Sequence, residues 1–425
     1  MHRRHLLRHT AALGAGGLLP WLTVGPQAWA AMGDATVRQP KRLVVVMLRG
    51  AVDGLSVVVP FADADYVRAR PTIAIAPPGM PDGVLDLDGR FGLHPALADL
   101  MPYWQRQQLA FVQASGSNDA SRSHFDAQDY MESGTPGRKS TPDGWLNRLL
   151  GELPSLRAKG RSPTQGVSVG AVMPRIYAGP NGVANLPTGK ASMRPSLLDE
   201  AGVGQAFDQL YSSNDKLAAA YRASREAREE VNASVGDPKM QAEMMLANNG
   251  APLPDGFAED AGKLATLMRN DANVQLGFMA LGGWDTHANQ GHGQGQLAKR
   301  LRPLGQGLAA MANKLGPVWA DTVVVVMSEF GRTVRENGNR GTDHGHGNVM
   351  WLLGGSVKGQ KVYGAWPGLQ ANALYEDRDL AITTDFRTVL SEVVMQHLAL
   401  PASAVGRVFP QFAVTAKAGL GLLRT

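Results

Sequence analysis

Two short segments of the chain place acidic and imidazole side chains close together. Asp285 and His287 are two residues apart, and Asp343, His344 and His346 lie within a single short stretch. This spacing lets one loop offer two or three ligands to the same ion. Because the chain contains no cysteine, oxygen and imidazole nitrogen are the donors it can offer, and they suit zinc, manganese, iron or magnesium. The pattern predicts a site for one or two divalent metal ions.

Two further acidic residues stand just beyond strongly apolar runs of the chain. Asp53 follows the run 42–48, and Glu329 follows the run 322–327. Carboxylates that gather in one crevice repel one another unless a cation compensates them. The alternative is a hydrogen-bonded loop network that braces the structure without an ion. The candidate metal ligands are Asp53, Asp285, His287, Glu329, Asp343, His344 and His346.

The segment Ser-Arg-Ser-His-Phe-Asp at 121–126 offers a candidate nucleophile. Ser123 precedes a predicted helix over 125–133, and a hydroxyl at a helix N-terminus beside a metal ion is favoured as an oxyanion. Arg122 would then be an anion clamp. Because Asp126 stands three residues after Ser123, as in a capping box, the serine could equally be only a helix cap.

The elements that must position these residues alternate along the chain. Apolar, strand-like runs cover 42–48, 109–114, 274–281, 322–327 and 349–353. Helical patterns cover 142–150, 296–315 and 386–398. This alternation predicts an α/β fold with one mainly parallel sheet and helices on both faces. Because the carboxyl ends of parallel strands meet at one edge, we expect the candidate residues to converge there.

An insert interrupts this alternation at about 157–250. Residues 157–204 are rich in Gly, Pro, Ser and Ala, with a short strand-like piece at 166–172. Residues 205–247 predict two or more helices, the longest around 216–234. We therefore expect one domain over 31–425 that carries a cap or insert.

The N-terminus has the pattern of an export signal. Arg3 and Arg4 precede a short apolar run at 10–22, and Ala-Trp-Ala at 28–30 is a small-x-small cleavage pattern. The run is too short for a membrane span, which needs about 18 residues. Residues 1–30 are therefore predicted to be a twin-arginine signal peptide, whose partner is the twin-arginine export machinery. The mature protein is expected to be periplasmic or secreted and to have no integral membrane span.

The overall charge argues against a nucleic-acid partner. Residues 1–30 contain three arginines and no acidic residue, so cleavage lowers the formal net charge from +5 to +2. The mature sequence shows no clustered basic stripe of the kind that nucleic-acid binding requires. We expect no nucleic-acid partner.

Five motifs in a fixed order carry a resemblance to a known family. They are Leu-Arg-Gly-Ala-Val-Asp-Gly-Leu (48–55), Ser-Arg-Ser-His-Phe-Asp-Ala-Gln (121–128), Gly-Gly-Trp-Asp-Thr-His (282–287), Met-Ser-Glu-Phe-Gly-Arg-Thr (327–333) and Gly-Thr-Asp-His-Gly (341–345). With them the chain resembles the bacterial family called domain of unknown function 1501 (DUF1501), which is grouped with the alkaline phosphatase and sulfatase superfamily. The resemblance implies an alkaline phosphatase-like fold with a two-metal core.

The resemblance also implies roles for individual residues. Ser123 would stand near the nucleophile position and Asp53 would be the acidic ligand after the first strand. Asp285, His287, Asp343 and His344 would complete the metal shell, with Glu329 as a further ligand. The Cys- or Ser-x-Pro-x-Arg segment of formylglycine sulfatases does not occur in the chain.

Two functions follow as hypotheses. The first is an exported metal-dependent hydrolase that acts on a small anionic substrate, a phosphate or sulfate ester. The second is a non-catalytic secreted or surface binding protein that keeps the alkaline phosphatase-like fold. The first hypothesis predicts that the purified protein retains a divalent metal and that Asp343→Ala or Asp285→Ala abolishes both the metal and ester hydrolysis. The second predicts that Ser123→Ala leaves the function unchanged.

Overall fold

The computed structural model describes residues 40–139, 141–156, 162–189, 238–413 and 419–424. The predicted signal peptide and the helix predicted around 216–234 lie outside the described residues. The strands are β1 Arg42–Leu48, β2 Val58–Val59, β3 Leu85–Asp86, β4 Gly92–Leu93, β5 Leu109–Gly116, β6 Gly166–Val169, β7 Ala184–Leu186, β8 Leu276–Leu281, β9 Thr322–Ser328, β10 Asn348–Gly354, β11 Lys361–Tyr363 and β12 Thr384–Asp385.

The helices lie between these strands, as expected for an α/β protein. The α-helices of the described residues are α1 Gly54–Val57, α2 Ala64–Ala69, α3 Met101–Gln105, α4 His124–Ser133, α5 Trp145–Glu152, α6 Pro238–Asn248, α7 Phe257–Asn270, α8 Gln296–Leu315, α9 Phe386–Glu392 and α10 Ala402–Val408. The helix predicted over 386–398 continues from α9 into a π-helical turn at Val393–His397.

The main sheet has the strand order β11-β5-β10-β9-β1-β8-β6-β7, and β12 pairs with β5. β1 lies at its centre and pairs in parallel with β8 and β9. β10 is antiparallel to both of its neighbours, β5 and β9. The sheet is therefore mostly parallel, as the sequence predicts, and the apolar run 349–353 forms its antiparallel strand.

Helices cover both faces of this sheet. Alternate residues of β1 enter two different cores, because successive side chains of a strand point to opposite faces. Val44 and Val46 pack in the core that includes residues of α7 and α8. Val45 and Met47 pack in the core that includes residues of α5, α9 and α10. A strand buried on both faces needs the continuous apolar sequence that β1 has.

The pairing pattern brings four strand ends to one edge of the sheet. β1, β5, β8 and β9 run in the same direction, because β10 is antiparallel to both β5 and β9. The loops that follow these strands carry the candidate residues of the sequence. None of the described helices is long and apolar enough to cross a membrane.

Candidate metal centre

Three imidazole rings and one carboxylate meet at this edge of the sheet. Oδ1 of Asp285 lies 2.9 Å from Nε2 of His287, 3.2 Å from Nε2 of His344 and 3.6 Å from Nε2 of His124. Nε2 of His344 lies 2.9 Å from Nε2 of His124 and 3.1 Å from Nε2 of His287. One nitrogen from each ring and one oxygen thus point into the same small space.

Three separate strand ends supply these side chains. His124 is the first residue of α4, which follows β5 after a short loop. Asp285 and His287 lie in the loop after β8, and His344 lies in the long loop that joins β9 to β10. Backbone hydrogen bonds connect these loops. The amide of Thr342, for example, donates to the carbonyl oxygen of Thr286 at 3.2 Å.

Gly50 allows the loop after β1 to approach this centre closely. Its φ is +112°, and a Cβ atom there would stand 3.0 Å from the backbone nitrogen of Asp285. An L side chain rarely adopts this conformation, whereas glycine does so without steric strain. The amide of Gly50 donates to Oε1 of Glu329 at 2.7 Å, so the turn also holds one of the acidic residues in place.

The Nδ1 atom of each ring is hydrogen-bonded to an oxygen acceptor outside the cluster. The Nδ1 contacts are His124 with Oε1 of Glu329 at 2.9 Å, His287 with Oδ1 of Asp343 at 3.0 Å and His344 with the carbonyl oxygen of Arg122 at 2.9 Å. Because a carboxylate or carbonyl oxygen can only accept, Nδ1 donates in each pair, and the Nε2 lone pair of a neutral ring points inward.

This donor set fits a bound metal ion. Three inward lone pairs beside a carboxylate oxygen repel one another unless a cation or added protons lie among them. Histidine nitrogens with one carboxylate suit zinc, iron and manganese better than calcium. His124, Asp285 and His344 can each direct one ligand atom so that all three atoms lie within 4.8 Å of one another. The side chains present therefore agree with the metal site that the sequence predicts.

The electrostatics of the centre favour positive charge among the imidazoles, supplied either by a bound ion or by an added proton. Burial alone would lower the pKa of His124, but hydrogen bonds to Asp285 and Glu329 raise it to about 9. Burial would raise the pKa of Asp285, whereas the three imidazoles, which donate to it when they are protonated, and the charge of Arg332 hold that pKa far below its usual range. Burial would also raise the pKa of Glu329, but the hydrogen bonds with His124 and Gln128 and the charge of His124 together lower it. Both carboxylates are therefore ionised at neutral pH.

The seven predicted ligands divide into three groups. Asp285, His287 and His344 reach the cluster, whereas Glu329 and Asp343 accept hydrogen bonds from its imidazole rings. The other two, Asp53 and His346, lie outside it.

Asp53 and His346 each have another partner. Asp53 pairs with Arg70 at 2.6 Å. The ring of His346 stacks on Tyr375 with a centroid distance of 4.1 Å. The ligand roles of the seven residues stay predictions.

His124 is a member of the cluster, although it was not among the predicted ligands. Its Nε2 lies 2.9 Å from Nε2 of His344, and it is the residue directly after the predicted nucleophile Ser123. The available signal was its place at the end of a strand-to-helix loop, together with the other strand-end histidines. Arg332 was not assigned a role from the sequence either, although its Nη1 donates to Oδ1 of Asp285 at 2.5 Å.

The two predicted catalytic residues lie at the rim of the centre. Ser123 is the N-cap residue of α4, but its side chain makes no cap hydrogen bond. The guanidinium of Arg122 contacts Glu376 at 2.6 Å and Asp379 at 2.8 Å. Arg122 therefore has its charge balanced by protein carboxylates. The catalytic roles of both residues stay predictions.

Solved structures that resemble this chain include members of the alkaline phosphatase superfamily and sulfatases. Ps i-CgsB in complex with k-i-k-neocarrahexaose is 10% identical, with a TM-score of 0.37 and coverage of 90% of this chain and 74% of that chain. A protein in the alkaline phosphatase superfamily from Vibrio parahaemolyticus is 12% identical, with a TM-score of 0.36 and coverage of 76% and 62%.

The 2-O GAG sulfatase BT1596 is 9% identical, with a TM-score of 0.32 and coverage of 89% and 72%. Likenesses this weak do not assign an activity. No curated protein sequence matches the chain.

The family assignment comes from the sequence itself. Residues 40–410 match the family model described as "Protein of unknown function (DUF1501)". This match spans all the strands of the main sheet and each of the loops that build the centre. The chain therefore belongs to the DUF1501 family.

Proposed function

We propose that this chain is an exported, metal-dependent hydrolase of phosphate or sulfate esters. The observation that carries the proposal is the convergence of three Nε2 atoms on Oδ1 of Asp285, with the Nδ1 atom of each ring held from outside. His124, Asp285, His287 and His344 would hold the ion. A divalent ion bound there would act as a Lewis acid toward a phosphoryl or sulfuryl oxygen.

Ser123 is the proposed nucleophile. It precedes α4 directly, so its hydroxyl lies at the positive end of the helix dipole, which favours an oxyanion. It is adjacent in sequence to His124, and its side chain is not used to cap the helix. A nucleophile must be free to approach substrate, and Ser123 is exposed.

The first test combines metal analysis with assays of ester hydrolysis. The purified mature protein should retain a divalent metal and hydrolyse at least one class among aryl phosphates, phosphodiesters and sulfate esters. His124→Ala and Asp285→Ala should lose both the metal and the turnover, whereas Ser123→Ala should keep the metal and lose the turnover. His292→Ala is the matched control, because His292 is exposed and follows the same strand as His287. Folded wild-type protein that binds no metal would contradict the proposal.

One observation favours a second candidate, a non-catalytic binding protein with a structural ion. The predicted anion clamp, Arg122, already pairs with Glu376 and Asp379 and so lacks a free charge for a substrate. In that case Ser123→Ala would leave ligand binding unchanged. None of the aryl phosphates, phosphodiesters and sulfate esters would be hydrolysed in the presence of zinc, manganese, magnesium or iron, although the protein would still bind its ion.

Export is the remaining part of the proposal. The paired Arg3 and Arg4 and the cleavage pattern at 28–30 support a twin-arginine signal peptide and a periplasmic or secreted location. Replacement of both arginines by lysine should retain the precursor in the cytoplasm, as measured by cell fractionation. Unchanged export of that variant would exclude the twin-arginine route.

A further inference from the structure

We propose that the centre holds a single divalent ion, and that the guanidinium of Arg70 takes the place beside Asp53 that a second ion would have in a two-metal core. This inference rests on the metal binding in the proposed function. It departs from the arrangement implied by the family resemblance, in which Asp53 is a metal ligand. It also assigns a role to Arg70, which no pattern in the sequence singled out.

The carboxylate of Asp53 is already surrounded by protein donors. Arg70 donates to both of its oxygens, with Nη1 2.6 Å from Oδ2 and Nη2 3.0 Å from Oδ1. Oδ2 also accepts from the hydroxyl of Ser56 at 2.7 Å and from the amide of Gln290 at 2.7 Å. Both Asp53 and Arg70 are completely buried. A bidentate guanidinium supplies the positive charge that a carboxylate in this position needs.

Arg70 is built into this place and is not a mobile surface cation. Its Nε donates to the carbonyl oxygen of Val334 at 2.9 Å, and its Nη2 donates to the carbonyl oxygen of Thr333 at 2.9 Å. Both acceptors belong to the loop between β9 and β10 that carries His344. Displacing Arg70 would leave these buried carbonyl groups and the guanidinium without partners, which is strongly unfavourable.

The two other acidic residues beside the imidazole cluster, Glu329 and Asp343, already have hydrogen-bond donors of the protein as partners. Glu329 accepts from His124, from the amide of Gly50 and from Gln128 at 2.9 Å. Asp343 accepts from His287 and from the side chain of Asn337 at 2.9 Å. These carboxylates orient the rings of the cluster, so their use as ligands of a second ion would release those rings.

The charges of the centre also match one ion. The carboxylates of Asp285, Glu329 and Asp343 surround the imidazoles, and the guanidinium of Arg332 compensates one of them. One divalent ion balances the two negative charges that remain. A second ion would leave uncompensated positive charge beside the buried Asp285 and Glu329, which is unfavourable.

A chain of buried hydrogen bonds gives the Asp53–Arg70 pair a positioning role. Arg332, which contacts Asp285, donates through Nε to the hydroxyl of Thr342 at 3.2 Å. Thr342 donates to Oε1 of Gln290 at 3.0 Å, and the amide of Gln290 donates to Asp53. The pair thus supports the metal ligand Asp285 from a distance, through Gln290.

Stoichiometry tests this inference without any variant. Metal-depleted wild-type protein, titrated with Zn²⁺ in a calorimeter, should bind one ion per chain, and elemental analysis of the reloaded protein should give the same ratio. Two ions per chain would overturn the inference. No bound ion would overturn both the inference and the proposed function.

Metal binding by two variants then tests whether the ion lies beside Asp285 or beside Asp53. Asp53→Asn should keep one ion, with an affinity lowered by no more than about tenfold, because its effect reaches Asp285 only through hydrogen bonds. Asp285→Asn, the matched control, should lose the ion. Loss of the ion in an Asp53→Asn protein that keeps the cooperative unfolding of wild-type protein would overturn the inference. If the protein binds one ion but hydrolyses none of the tested esters, the proposed function is contradicted and the single-ion inference is still supported.

Discussion

The guanidinium of Arg332 contacts the same oxygen of Asp285 that faces the imidazole rings of the centre. Nη1 of Arg332 lies 2.5 Å from Oδ1 of Asp285, and the arginine side chain is fully buried. A second hydrogen bond joins its Nη2 to the carbonyl oxygen of Thr342. The protein itself therefore holds the carboxylate of Asp285 in one orientation.

This contact predicts that Arg332→Lys weakens metal binding. Lysine keeps the charge, but it cannot contact Asp285 and Thr342 together in the planar geometry of a guanidinium. We expect the affinity for Zn²⁺ to fall by roughly 10- to 100-fold, the usual effect of losing a group that orients a ligand. Calorimetric titration measures the change. Arg335→Lys, an exposed position of the same loop, is the control, and equal affinities in the two variants would contradict the prediction.

Asp343 gives a second prediction, because it orients His287 without being buried. Its side chain is 54% exposed, so Asp343→Ala should fold normally. The ring of His287 would lose its Nδ1 acceptor, and the affinity for Zn²⁺ should fall by roughly tenfold or more. The exposed Asp99 provides the control variant Asp99→Ala. An Asp343→Ala variant with wild-type affinity would show that this acceptor does not orient the ring.

Removal of the metal should lower the stability of the fold. An ion that binds only the folded chain adds about 2.7 kcal/mol to the free energy of unfolding when its free concentration is 100 times its dissociation constant. Chelation should remove this increment from wild-type protein and from Ser123→Ala. It should have no effect on His124→Ala, which lacks one of the ligands. Urea unfolding with and without chelator measures the difference, and a chelator effect of the same size in His124→Ala would place the ion elsewhere.

His397 predicts a dependence of stability on pH at the opposite end of β1. Its Nε2 donates to the carbonyl oxygen of Arg42 at 2.9 Å, and its Nδ1 accepts from the hydroxyl of Ser356 at 3.0 Å. Burial lowers the pKa of His397 to about 4 from 6.5. Below pH 6.5 the imidazole of His397 is protonated in the unfolded chain but stays neutral in the folded chain until the pH approaches 4. The free energy of unfolding therefore falls as the pH drops from about 6.5 to about 4, by about 3 kcal/mol in total.

The variant His397→Gln should lose this part of the acid sensitivity. Urea unfolding at several pH values between 7 and 4 would show a shallower decline in the variant than in wild-type protein. Burial also lowers the pKa of His94 to about 4, and this residue contributes equally to both proteins, so the difference reports His397 alone. Parallel declines would mean that His397 does not titrate as its surroundings indicate.

Much of the fold could be predicted because its signals are local. The predicted run 42–48 coincides with β1, and the helical pattern over 296–315 coincides with α8. A strand buried on both faces must be apolar throughout, and a helix with one buried face must repeat its apolar residues at helical spacing. The direction of a strand has no such signal, and the sequence did not distinguish the antiparallel β10 from its parallel neighbours.

The candidate centre divides in the same way. The sequence alone determined that acidic and imidazole groups follow several strands of one mostly parallel sheet, and such strands end at a common edge, so Asp285, His287 and His344 could be predicted to meet. Only the tertiary structure decided which groups face the cluster, because that depends on distances of a few ångströms between loops far apart in the chain. The tertiary structure brings His124 into the cluster and pairs Asp53 with Arg70. No sequence pattern around any one of these residues indicates which partner it contacts.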